Sequence, residues 1–189
     1  QARSNTRLTP VYWYCPDIKG AFPSVTLEKF LQVIGSDINK IKHINVLESF
    51  CFSPVSEGRC LIQGAPSSNA LFHLFMSKID EEYRKVLINS NIVYTRYCDD
   101  LLFSSCFPIT TSNKKKIMKV IHSFGLLQSD KKTRSYDLNK EVLDCFGYTL
   151  RSEKATSRKP QKFVISLRQE YLTHLRGYYY SIKHKGEFL

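Results

Sequence analysis

The residues best suited to chemistry are three carboxylates. Asp99 and Asp100 are adjacent and flanked by Tyr97, Leu101 and Leu102. Neighbouring carboxylates repel each other, and apolar flanks raise the penalty by keeping water away. A divalent cation relieves it, and Mg²⁺ prefers oxygen ligands, usually one or two protein carboxylates together with substrate phosphates. Asp17 lies at the end of a short aromatic run, Tyr12-Trp13-Tyr14-Cys15, and is followed by Ile18-Lys19-Gly20-Ala21-Phe22-Pro23-Ser24-Val25. If the strands carrying Asp17 and Asp99 are neighbours, the two side chains can share two metals about 3.5–4 Å apart, an arrangement that activates a hydroxyl and clamps a phosphate. Asp-Asp also suits an ordinary turn, so the surrounding elements must decide.

Tyr12 to Cys15 suits a buried strand. A helix follows, with Thr26 as its cap, Glu28 in the positive first turn, and Val25 and Phe30 at the spacing of a hydrophobic staple. Gly35 is expected to end it, and Ile38, Ile41 and Leu47 point to a second helix. Gly64-Ala65-Pro66-Ser67-Ser68-Asn69 is a turn opening a longer helix, in which Leu71, Phe72, Phe75, Ile79 and Tyr83 recur every three or four residues as one buried face. Ile92–Tyr97 and Leu101–Ser104 are β-rich runs around a Cys98-Asp99-Asp100 tip, which predicts a hairpin. Lys114–Phe124 is amphipathic: Ile117, Val120, Ile121 and Phe124 share one side, Lys114, Lys115, Lys116 and Lys119 cluster elsewhere, and Gly125 stops the helix. Val142–Leu150 predicts a strand pair, and the polar stretch from Arg151 to Pro160 a link between lobes. Beyond it, Ile165, Leu172, Leu175, Tyr179 and Ile182 suit a helix whose other positions carry Arg168, Arg176 and Lys183.

These elements sit in a chain of 189 residues, 42% hydrophobic, 13% aromatic and 24% charged. That length holds one core or two small lobes, and the balance excludes a disordered tail or a collagen-like fibre. No run approaches the roughly 20 apolar residues of a membrane span. The N-terminus lacks the apolar centre of a secretory signal, so the expected location is cytoplasmic. Lys and Arg number 28 against 17 Asp and Glu, a net charge of +11, which favours a polyanionic partner through phosphate neutralisation and counterion release. The six cysteines form no C-x-x-C pair and the five histidines no zinc spacing, so reduced core thiols are expected, without structural zinc.

Read in order, five blocks resemble the reverse transcriptases. Asp17-Ile-Lys-Gly-Ala-Phe-Pro-Ser-Val is similar to their first catalytic block. Gln63-Gly-Ala-Pro-Ser-Ser-Asn resembles the block opening the long palm helix. Tyr97-Cys-Asp-Asp matches the Tyr-x-Asp-Asp hairpin, preceded by Tyr94-Thr-Arg as in many bacterial members. Gly125-Leu-Leu-Gln-Ser-Asp-Lys-Lys-Thr and Phe146-Gly-Tyr-Thr-Leu are similar to the next block and to the primer-grip hairpin. The ordered set covers about residues 12 to 150.

The resemblance implies an α+β polymerase palm, an antiparallel sheet backed by helices, over residues 12–150. Residues 1–11 would be the end of the fingers or a linker, and residues 151–189 a linker and the start of a helical thumb. Only 16 residues precede Asp17, so the fingers are expected to lie largely outside this chain. It implies that Asp17 and Asp99 bind two Mg²⁺ ions (Mn²⁺ as a substitute), with Asp100 supporting and Ile18 offering its carbonyl. Phe22 would lie under the incoming sugar and exclude a 2′-hydroxyl. Gln63 and Gly64 would line the nucleotide pocket, and Lys132 would approach the triphosphate. Phe146, Gly147, Arg168 and Arg176 would meet primer and template, with Lys183 and Lys185 along the same duplex.

The activity implied is RNA-directed DNA synthesis from deoxynucleoside triphosphates on an RNA template and a DNA or RNA primer, with a dedicated non-coding RNA as a further partner. The lineage resembled is bacterial: retron, group II intron or phage-defence. Two features depart from the pattern. Pro16, which cannot donate to a sheet ladder, directly precedes Asp17, and Asp144-Cys-Phe-Gly stands where retron members carry Val-Thr-Gly. Template-independent or protein-primed synthesis would use the same site. A catalytically silent RNA-binding scaffold would be marked by lost carboxylates, and all three are present.

Overall fold

The computed structural model describes residues 10–38, 49, 51–55, 58–153 and 162–176. Ile41, Leu47, Tyr179, Ile182, Lys183 and Lys185 lie outside them. The chain divides into two compact units, Gln1–Ser135 and Tyr136–Leu189.

The first unit is built on β1 (Tyr12–Cys15), β4 (Ile92–Tyr97) and β5 (Asp100–Ser105), and the division between units falls within β6 (Arg134–Asp137). The sheet order is β4-β5-β1-β6. β5 is the central strand: it pairs antiparallel with β4, Tyr97 opposite Asp100, and with β1, Tyr14 opposite Phe103. Paired on both edges, β5 is shielded along its length, and Leu101 to Ser105 are all buried.

Three helices hold the core. α2 (Leu27–Ile38) starts as its residues predict, with the Thr26 hydroxyl accepting from the Lys29 amide at 3.3 Å and both Val25 and Phe30 fully buried. Gly35 breaks it as expected: its backbone leaves the helical region (φ 22°, ψ −89°), a conformation only glycine adopts easily, and a second helical stretch follows to Ile38. α3 (Pro66–Leu87) buries Phe72, Phe75, Met76, Ile79 and Tyr83, and packs on α2, α4 and β4. α4 (Thr111–Ser123) is capped by Thr110, whose hydroxyl accepts from the Asn113 amide, and buries Ile117, Met118, Val120 and Ile121. Gly125, at φ 70°, turns the chain out of it. Between sheet and helices lies an aromatic cluster of Tyr14, Tyr83, Tyr94 and Phe103, with Tyr94 stacked on Phe103 at 5.0 Å. The buried Tyr83 hydroxyl donates to the Ile117 carbonyl at 3.1 Å, which meets the requirement that a buried hydroxyl find a partner.

A short turn of helix, α1 (Ala21–Ser24), and the hairpin β2 (Phe52–Val55) and β3 (Gly58–Leu61) complete the unit. The Leu61 amide donates to the Val25 carbonyl at 3.1 Å, tying β3 to the α1–α2 junction.

The second unit is a three-stranded sheet, β7 (Leu143–Cys145), β8 (Tyr148–Glu153) and β9 (Lys162–Leu167), followed by helix over residues 169–176. β9 corrects the helix expected from Ile165 onward. Phe163, Val164 and Ile165 are aromatic and β-branched, types that favour a pleated strand, and they pair with Ser152, Arg151 and Leu150. Ile165 is 70% exposed, so the spacing it shared with Leu172 marked no common buried face. Arg168 precedes the helix and Arg176 lies within it.

Among the described residues no helix is long and apolar enough to cross a membrane.

Candidate active site

The register of the sheet brings the carboxylates together. In the β1–β5 pairing, Tyr12, Trp13 and Tyr14 oppose Ser105, Ser104 and Phe103. β1 ends at Cys15, two residues before Asp17, and β5 begins at Asp100, so the paired strands bring these carboxylates to the same end of the sheet. Side chains alternate between faces along a strand. Tyr14, Phe103 and Tyr94 point toward the helices, so Leu102 and Asp100 belong to the opposite face. Asp99 occupies the turn beside them. Their electrostatics agree: burial first, then the negative charges of Asp99 and Asp17, push the Asp100 carboxyl pKa up.

The Tyr97–Asp100 pair closes a two-residue turn in which Cys98 is at φ 52°. A left-handed non-glycine residue costs on the order of 1–2 kcal/mol, and contacts on both sides hold it. The Cys98 carbonyl accepts from Arg96 Nη1 at 2.8 Å, and its sulfur lies 3.9 Å from Asn69 Oδ1. Arg96 in turn donates to both oxygens of Asp80 on α3, at 3.0 and 2.7 Å.

Asp17 is fixed through its backbone. Its amide donates to Thr133 Oγ1 at 3.2 Å, and its carbonyl accepts from the Ser129 amide at 2.8 Å. The Lys19 amide donates to the Leu127 carbonyl at 2.8 Å, completing a bridge between Ile18 and Gln128. In such an antiparallel bridge the bonds belong to the flanking residues, so the Ile18 carbonyl points away from Gln128. Pro16 is accommodated because β1 ends at Cys15, before its missing N–H would interrupt the ladder.

Phe22 lies on α1, half-buried and stacked on the fully buried Phe72 of α3, with ring centroids 4.7 Å apart. Gly20, at φ 55° and ψ 56°, turns the chain into α1. Gln63 and Gly64 are exposed at the head of α3, in a turn closed by the Ala65 amide and the Ile62 carbonyl. The turn requires φ 84° at Gly64, a value glycine reaches without steric cost. Lys132 is exposed on the turn that ends in Thr133.

The remaining residues belong to the second unit. Phe146 (φ 52°) and Gly147 (φ 78°) form the two-residue turn between β7 and β8, both in the left-handed region that matches the twist of a hairpin. A β-carbon on Gly147 would come within 3.1 Å of the Tyr171 ring. The Arg168 amide donates to the Gly147 carbonyl at 3.1 Å, while its guanidinium pairs with Glu170 at 3.1 Å. Arg176 is exposed.

Sequence reasoning assigned no site role to Thr133, Arg96, Asp80, Asn69 or His73. Arg96 Nη1 lies 3.2 Å from His73 Nδ1. The signal available was the placement of Asn69, His73 and Asp80, which at helical spacing can share the side of α3 facing β4.

Asp17, Asp99 and Asp100 offer only oxygen donors in a partly desolvated place, a set suited to a hard divalent cation. Among the described residues no three His, Cys, Asp or Glu side chains are drawn together closely enough to hold an ion. The three carboxylates share one end of the sheet without converging on a point.

Comparison with known proteins gives a consistent picture. A family profile described as reverse transcriptase (RNA-dependent DNA polymerase) matches residues 5–163. The chain is 32% identical to the Retron Ec86 reverse transcriptase of Escherichia coli over 125 residues, 62% of this chain and 36% of that protein. It is 26% identical to the Retron Ec83 reverse transcriptase of Escherichia coli over 191 residues, 88% of this chain and 60% of the relative. It therefore spans less than two thirds of the length of either. The fold is similar to apo telomerase from Candida tropicalis truncated from its C-terminal domain, with a TM-score of 0.56 at 15% identity, covering 77% of this chain and 35% of that one. With the profile running from before β1 into β9 and the Tyr-x-Asp-Asp turn at the end of the central strand, this chain belongs to the reverse transcriptase family.

Proposed function

We propose that this chain carries the catalytic centre of a retron-like RNA-directed DNA polymerase that works by a two-metal mechanism. The observation that carries the reading is the gathering of Asp17, Asp99 and Asp100 at one end of the β1–β5 pair, where burial and mutual repulsion already disfavour the charge on Asp100. In this reading Asp17 and Asp99 would hold Mg²⁺, with Asp100 supporting them and Ile18 adding its carbonyl. Two divalent ions, when bound, would lower the pKa of the primer 3′-hydroxyl and offset the charge gathering on the phosphate.

The chain's own residues do the rest. Thr133 and Ser129 hold the Asp17 backbone, and the turn at Cys98 presents Asp99. The primer 3′-oxygen bonds to the α-phosphorus of a deoxynucleoside triphosphate, the bond to the bridging oxygen breaks, and pyrophosphate leaves. Lys132 approaches the triphosphate and can supply its proton. Phe22, seated on Phe72, forms a firm floor under the sugar and leaves no room for a 2′-hydroxyl. Gln63 and Gly64 line the nucleotide pocket. Phe146, Gly147, Arg168 and Arg176 meet the primer–template duplex, and a dedicated non-coding RNA is a further partner in this reading.

Primer extension by the natural polypeptide with Mg²⁺ tests the reading, using an RNA template, a DNA template and no template. Extension that depends on RNA and copies its sequence is expected. Product of equal yield without template overturns templated synthesis, and no product under any condition favours an RNA-binding scaffold.

A further inference from the structure

The contacts around Arg96 are more than a helix–strand ion pair requires. Its side chain is 10% exposed and that of Asp80 21%. Nε and Nη2 meet the two Asp80 oxygens at 3.0 and 2.7 Å, and the Tyr94 hydroxyl donates to Asp80 Oδ1 at 2.7 Å. This fork leaves Nη1 to reach the Cys98 carbonyl at 2.8 Å and His73 Nδ1 at 3.2 Å. A guanidinium only donates, so Nδ1 of His73 accepts. Asp80, itself held by Tyr94, and His73 thus fix the guanidinium, and its remaining reach goes to the residue directly before Asp99. A fork held at both ends is preorganised in a way a lysine ammonium is not.

Building on the polymerase reading, we propose that Arg96, aimed by Asp80, is a positioning residue. It holds the Cys98 carbonyl, and through it the left-handed turn that presents Asp99 and Asp100. The active-site hairpin is thereby anchored to α3, the helix whose first turns also seat Phe22 through Phe72. Asn69, on that helix, meets the Cys98 sulfur.

The test uses the natural polypeptide carrying Arg96→Lys, Asp80→Asn, or the exchange of charges Asp80→Arg with Arg96→Asp. For each, Tm, amide hydrogen exchange over residues 97–100, kcat and the KM for deoxynucleotide are measured. A lysine can serve Asp80 or the Cys98 carbonyl but not both. For Arg96→Lys, faster exchange in the hairpin is expected, with kcat down about 10- to 100-fold and KM within about threefold, the loss typical of a misplaced catalytic group. Asp80→Asn should act in the same direction and more mildly. The exchanged pair should recover Tm but neither slow exchange nor kcat, because an aspartate at position 96 has no donor for the carbonyl. Wild-type exchange and kcat in Arg96→Lys, or a full return of kcat in the exchanged pair, overturns the proposal. An inactive wild type would count against the polymerase reading alone, since hydrogen exchange still decides whether Arg96 holds the hairpin.

Discussion

Thr133 offers the sharpest test of how Asp17 is held. Its Oγ1 accepts from the Asp17 amide at 3.2 Å and donates to the Ser129 carbonyl at 2.9 Å. Thr133→Val keeps the volume and branching but removes both bonds. The Ser129 carbonyl keeps the Lys132 and Thr133 amides, at 3.2 and 2.9 Å, so the only orphan is the Asp17 N–H. A half-buried donor without a partner costs about 1–2 kcal/mol, which for a chain of this size lowers Tm by about 2–8 °C. The same loss frees the residue that begins the catalytic block, and a shift approaching 1 Å there should lower kcat about tenfold or more. Calorimetry and single-nucleotide incorporation at saturating deoxynucleotide measure the two effects. Thr133→Ser, which restores the oxygen, should recover most of both. A valine variant with wild-type Tm and kcat would refute the claim that this side chain positions Asp17.

Other perturbations follow from the same geometry. Phe22→Ala removes the ring stacked on Phe72; competition between ribo- and deoxynucleotides should show discrimination falling about tenfold or more, the scale expected when a steric rejection is lost. The Asp100 carboxyl pKa is raised above 3.8 in the folded chain, so its ionised form destabilises the fold as pH rises through the folded value. Asp100→Asn should therefore have the higher Tm at pH 7, with the gap closing below about pH 3.8, where the aspartate is protonated in both states. Phe146 adopts φ 52° in its turn; Phe146→Gly should raise Tm by relieving about 1 kcal/mol of strain while weakening retention of a primer–template duplex in a filter-binding assay.

The legible parts of the fold were those written locally. The apolar stripe of α3, the staple at Val25 and Phe30, and the hairpin around Cys98 each lie within a few turns or strand residues of chain. The meeting of Asp17 with the Asp99–Asp100 tip depends on register, which no local pattern encodes; adjacency of the strands was a condition in the reading of the sequence. The negative charges of Asp99 and Asp17 then both act on Asp100. Thr133 was invisible for the same reason, since 116 residues separate it from the amide it holds. Ile165 misled because a strand residue on an exposed face can fall by chance at helical spacing from later apolar residues. Gly35 was legible because its freedom at positive φ is a local property, and the helical backbone does break there. Arg96 was read as part of a motif, and its role emerged only when β4 was laid beside Asp80 and His73 of α3.

The central claim is that the carboxylates at the end of the β1–β5 pair perform nucleotidyl transfer. Single-nucleotide incorporation with Mg²⁺ on an RNA template, comparing the natural polypeptide with its Asp99→Asn variant, tests it most directly. The account predicts a fall in rate of at least about 100-fold, the scale of losing one preorganised electrostatic stabiliser, with primer–template affinity within about threefold. Incorporation at the wild-type rate in the variant would contradict it.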